Sequence, residues 1–80
     1  MNDRRLIIGE FYRHFKGNEY QVLNVARHSE TSEVLVVYRD MSGGIWARPY
    51  DMFMSKVDKE KYPDATQKYR FQHSSERMEG

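Results

Sequence analysis

The run Val34-Leu35-Val36-Val37-Tyr38 constrains this chain more than any other segment. β-Branched and aromatic side chains suit a pleated, half-buried surface and lose rotamer freedom in a helix. The run is bracketed by two polar segments with turn chemistry, His28-Ser29-Glu30-Thr31-Ser32 before it and Asp40-Met41-Ser42-Gly43-Gly44 after it. A strand held between two close turns pairs with its neighbours in sequence. The pattern therefore predicts a mainly β protein.

The neighbouring segments read the same way. Glu10 to Lys16 alternates, with Phe11, Arg13 and Phe15 on one side and Tyr12, His14 and Lys16 on the other. Lys16-Gly17-Asn18-Glu19 is a turn, since Gly and Asn tolerate positive φ. Tyr20 to Arg27 is the next strand. Its middle, Val22 to Ala26, is apolar on both faces, as expected where a strand bends across a barrel. Glu33 to Arg39 holds the central run, and Ile45 to Arg48 is a short fourth strand that Pro49 stops.

After Pro49 the period changes. Tyr50 to Met54 reads as one helical or 3₁₀ turn, with Met52 and Phe53 plugging the barrel end. Val57 is a candidate start for a fifth strand, and Asp58 to Lys68, charged and containing Pro63, reads as a loop or a ragged helix. Tyr69-Arg70-Phe71 is a last apolar contact. Together these elements predict a small SH3-like barrel of about five strands with a short 3₁₀ turn. Residues 1–8 are expected to form a leader, 9–71 one domain, and 72–80, poor in apolar residues, a disordered tail.

Composition bounds the function. At 80 residues the chain suits one domain with a thin core. It has no cysteine, which leaves no disulfide or thiolate site and suits a reducing compartment. No apolar run approaches the ~20 residues of a membrane span, so a cytoplasmic location without membrane association is expected. Lys and Arg number 13 against 12 Asp and Glu, a balance with no global pull toward nucleic acid.

Several spaced blocks resemble a known family: Tyr12-Arg13-His14-Phe15-Lys16-Gly17, Tyr20-Gln21-Val22-Leu23, Ala26-Arg27-His28-Ser29-Glu30-Thr31, Val36-Val37-Tyr38, and Trp46-Ala47-Arg48-Pro49 with Met52-Phe53. In this order, over residues 9–71, they resemble the small proteins grouped as domain of unknown function 1653. The resemblance implies a short bacterial chain. It brings with it no activity, cofactor or site residue.

The candidate site residues come from the residues themselves. His14 sits between two aromatics and is either a half-buried histidine bonded to backbone or a ligand or proton-transfer group. His28-Ser29-Glu30-Thr31 invites a nucleophile reading, but adjacent residues in an extended loop point apart, which favours turn chemistry. The histidines His14, His28 and His73 are scattered and have no metal-ligand spacing, so neither a metal nor another cofactor is expected. Trp46 is a core ring or an exposed platform, and the small size of the domain favours the core. Arg48 is a clamp for a planar anion or the partner of Asp40 or Asp51.

A mixed basic and aromatic set can also stack single-stranded bases. The reading that follows is a non-catalytic binding module. Its ligand-binding residues are Tyr12, His14, Lys16, His28, Trp46 and Arg48, and a peptide or protein partner is favoured over single-stranded nucleic acid because the net charge is weak. The alternative is a small ligand-modifying or hydrolase-like enzyme using His14, His28, Glu30 and Arg48.

Overall fold

Where the chain reverses is decided by residues that accept unusual backbone angles. Gly17 closes the first hairpin at φ 111° and Gly43 the third at φ 93°. The third is a three-residue connection: the Asp40 amide bonds the Gly44 carbonyl and the Gly43 amide bonds the Asp40 carbonyl. That is a tight turn followed by a left-handed residue, a common form of three-residue hairpin. The second connection is held by the imidazole of His28, whose Nδ1 accepts the amides of Glu30 and Thr31.

The computed structural model describes residues 4–73. Between the turns lie β1 (Phe11–His14), β2 (Glu19–Arg27), β3 (Val34–Asp40) and β4 (Ile45–Pro49), then α1 (Tyr50–Phe53) and β5 (Phe71–His73). All five strands form one antiparallel sheet in the order β4-β3-β2-β1-β5. The sheet stays open, with β4 and β5 at its edges, so a barrel describes it only approximately. The bend expected in β2 is a bulge: the register with β3 shifts between Val22 and Asn24.

Alternation along these strands sorts the side chains. The inward face carries Tyr12 and His14, Tyr20 and Val22, Val36 and Tyr38, Trp46 and Arg48, and Phe71, which sit opposite one another in register. Val22, Val36, Tyr38 and Phe53 are buried, as the apolar pattern implies. Phe53 comes from α1 and stacks flat on Phe71 at 4.1 Å between centroids.

Of the helical or 3₁₀ turn expected after Pro49, the helical form is present, a short α turn with the Met54 amide bonded to the Tyr50 carbonyl. Only one of its two expected plugs enters the core: Phe53 and Met54 are buried while Met52 is exposed. A single turn presents one narrow stripe inward, and that stripe falls on Phe53.

On both sides of residues 9–71 the described residues pack against the domain. Arg4 in the expected leader donates to the carbonyls of Met54 and Phe71 and stacks on Tyr69, and Leu6 packs against the core. The fifth strand does not begin at Val57. That segment makes only a bridge between Lys56 and Tyr69, and the strand forms at Phe71–His73, taking in Gln72 and His73 from the expected tail. The rest of that tail lies outside the described residues.

Candidate functional site

The inward face has a covered end and an open end. At the covered end Phe53 packs edge-on to Tyr12, whose hydroxyl accepts the Ile7 amide, and Val22 and Val36 are buried in the same cluster. Beside it the same face runs over the buried rings of Tyr38 and Phe71, which Phe53 also touches, to the partly exposed His14, Tyr20 and Arg48 and the exposed Trp46. Here the rings form a connected wall: His14 lies 4.8 Å from Phe71 and Tyr20 lies 5.3 Å from Tyr38, each edge to face.

Arg48 is fixed against this wall. Its guanidinium carbon sits 5.4 Å from the centre of the Phe71 ring, and its Nε donates to the Tyr38 hydroxyl at 3.2 Å. Two contacts from rigid strand residues hold the group in one orientation, which is how a planar cation is preorganised. The expected ion pair with Asp40 or Asp51 is not formed. Among the described residues Arg48 has no carboxylate within salt-bridge distance, and its terminal nitrogens have no hydrogen-bond partner.

Asp40 is occupied elsewhere. Its Oδ2 accepts the indole N–H of Trp46 at 2.8 Å, and its Oδ1 accepts the amides of Ser42 and Gly44. The Trp46 bond, then that from Gly44, holds the Asp40 carboxyl below its ordinary pKa. Trp46 is therefore not the core ring that the small size of the domain favours. It lies on the inward face, opposite Tyr38, yet is 56% exposed on the edge strand β4.

His14 stands beside Arg48 across Phe71. Its pKa falls from 6.5 to about 4, chiefly through desolvation by burial and then through the charges of Arg48, Arg70 and Lys16. Its Nδ1 accepts the Lys16 amide at 3.1 Å. A neutral imidazole that accepts at Nδ1 carries its proton at Nε2, so His14 is a fixed donor near neutral pH. Arg48 and the neutral His14, both against the Phe71 ring, make this end of the face receptive to an anion.

The six sequence-derived candidates thus divide. His14, Trp46 and Arg48 share the open end, and Lys16 stands at its margin with its ammonium 5.2 Å from the Tyr62 ring. Tyr12 belongs to the core instead: it is buried, edge-on to Phe53 at 5.6 Å, with its hydroxyl accepting the Ile7 amide. Alternation put it on the correct face, but α1 covers that position.

His28 is also misplaced in the expected set. It lies beyond the far end of β2, eight residues from Tyr20 and so about 26 Å along an extended strand. There it caps its own turn. Glu30 sits in the same exposed turn, so His14, His28, Glu30 and Arg48 do not converge.

Sequence reasoning missed Phe71, the floor of the site, and Arg70. The available signal was the Tyr69-Arg70-Phe71 alternation of rings and charge, which reads the same for a surface contact as for a strand. Among the described residues no group of histidines and carboxylates is arranged to hold a metal, and no helix is long and apolar enough to cross a membrane.

The model of the family described as "Protein of unknown function (DUF1653)" matches residues 10–73. The chain belongs to this family. A solved DUF1653 protein from Bordetella bronchiseptica has a similar fold, with a TM-score of 0.70 and 29% identity over 98% of this chain and 96% of that one. No curated protein matches the sequence. The DUF1653 match spans β1 to β5, and so takes in His14, Trp46, Arg48 and Phe71.

Proposed function

We propose that this DUF1653 chain is a non-catalytic binding module that works in the bacterial cytoplasm and recognises a peptide segment of a protein partner. The observation that carries this reading is the state of Arg48. A half-buried guanidinium braced by the Tyr38 hydroxyl and the Phe71 ring, with terminal nitrogens that have no partner among the described residues, is arranged to receive an acidic group. Trp46 beside it offers a broad apolar surface that its bond to Asp40 already holds in place. Rigid aromatic and arginine anchors of this kind supply most of the energy of many protein interfaces.

A net charge of +1 supports a peptide over single-stranded nucleic acid, whose binding draws mainly on phosphate neutralisation. The hydrolytic alternative has no such support, since two of its four residues lie in a distant turn. A cysteine-free chain from a family with a Bordetella member fits a bacterial cytoplasmic setting.

The test is affinity capture from a bacterial lysate with immobilised wild-type and Arg48→Ala chains, identifying both protein and nucleic acid. A protein retained by the wild type and lost from Arg48→Ala is the expected result. Retained nucleic acid with the same dependence would replace the peptide reading, and a retained set indifferent to Arg48 would sink it.

A further inference from the structure

We propose that an extended peptide adds to the free edge of β4 as a sixth, antiparallel strand, placing an Asp or Glu opposite Arg48 and, two residues later, an apolar or aromatic residue opposite Trp46. This rests on the peptide-binding reading above and specifies its partner class.

The hydrogen-bond phase of the β3–β4 hairpin carries the first part. The Asp40 amide bonds the Gly44 carbonyl, and pairing continues as Tyr38 with Trp46 and Val36 with Arg48. In an antiparallel pair, bonded and non-bonded positions alternate. The amides and carbonyls of Trp46 and Arg48 therefore point to β3, while those of Ile45 and Ala47 point away from it. Pro49 falls in the same phase as Ile45 and Ala47, so its missing N–H costs the ladder nothing.

Among the described residues no strand pairs with this edge. Ile45, Trp46 and Ala47 are all exposed. The edge thus offers a short row of donors and acceptors at Ile45 and Ala47, ended by Pro49, long enough for a peptide of about four residues.

The side chains carry the second part. Trp46 and Arg48 flank Ala47 on the inward face, and an added strand would place two of its own residues, two apart, directly against them. Opposite Arg48, a carboxylate meets a guanidinium braced by the Tyr38 hydroxyl and the Phe71 ring. Opposite Trp46, an apolar residue covers the exposed indole. The intervening residue faces out beside Ala47, whose small side chain leaves it unrestricted. Antiparallel addition fixes the order along the incoming chain as acidic, any, apolar.

The probe is a randomised heptapeptide library displayed on phage and selected on the full chain. The expected outcome is enrichment of the acidic-any-apolar pattern, with binding weakened about tenfold or more by Ala47→Pro and by Arg48→Ala. Ala47→Pro removes an outward amide and leaves the bonds to β3 in place. If that variant loses its folded circular dichroism, amide exchange of the wild type decides: Ile45 and Ala47 should become protected when the selected peptide binds.

Peptides that need Arg48 but tolerate Ala47→Pro, without protecting those amides, would overturn strand addition and leave the binding-module reading standing. The same holds if lysate capture succeeds while the library yields no peptide or a different pattern. Concentration-dependent dimers abolished by Ala47→Pro would assign the edge to a second copy of the chain and overturn the proposal. Arg48-dependent binding of single-stranded oligothymidine would overturn both the proposal and the peptide reading.

Discussion

Tyr12 and Trp46 point to the same side of the same sheet, yet one is 1% exposed and the other 56%. Tyr12 packs against Phe53, and Trp46 lies on an edge strand. The contrast separates two causes that a strand pattern merges. Alternation decides which side a residue faces. What covers that side is decided by other segments, for Tyr12 the nearby Arg5–Ile7 stretch and the Phe53 ring from α1, forty-one residues on. The covered end is close-packed and should respond to mutation as a core. The open end is made of the same residue types but should respond chiefly in binding.

The largest expected effect tests the covered end. Phe53→Ala removes a fully buried ring that touches Tyr12, Tyr38 and Phe71, and should cost about 3–5 kcal/mol in urea unfolding. A loss below about 1 kcal/mol would mean that α1 does not seal the sheet.

The boundary between the two ends can be sharpened by pH. His14 has a folded-state pKa of about 4 against an ordinary 6.5, so the folded state binds its proton less readily than the unfolded state. The stability that the neutral ring contributes is fully present above pH 6.5 and is lost as pH falls from there toward 4. Because the ring remains partly hydrated, we expect a loss of about 1–2 kcal/mol rather than the full value of the shift. His14→Gln should flatten the stability curve over this window. An NMR titration midpoint near 6.5 would show that burial and the neighbouring cations act on His14 far less than the geometry implies.

A smaller effect belongs to the Trp46 clasp. A Cβ at residue 44 would stand 2.8 Å from Asp40 Oδ2 and 3.2 Å from the Trp46 indole nitrogen. Gly44→Ala should therefore push the carboxylate and indole apart at a cost below about 1 kcal/mol, since both groups can turn to water. Trp46 is the single tryptophan of the chain, so its fluorescence reports the clasp directly. An emission spectrum identical to wild type would mean that the two groups are not held together.

These regions also show what the sequence made legible. The strands followed from local signals: the Val34–Tyr38 run, the turns at Gly17 and Gly43, and the break at Pro49. So did the four core residues Val22, Val36, Tyr38 and Phe53. The open end was only half legible. Trp46 and Arg48 are two apart on one strand, so their shared face could be read, and His14 follows Tyr12 on the same face of its own strand. Phe71 could not be joined to them, because a long irregular segment separates β5 from α1 and no local pattern sets where it returns. His28 was drawn into the site by its chemical type, although its imidazole serves the turn that contains it.

The most direct test of the division between the two ends is Trp46→Ala, with unfolding in urea and lysate capture measured on the same preparation. The account predicts a stability loss below about 1 kcal/mol, as for a ring largely in water, together with loss of the Arg48-dependent partner. A loss of about 3 kcal/mol or more with the partner retained would contradict it, and would make Trp46 part of the core and the open end no site at all.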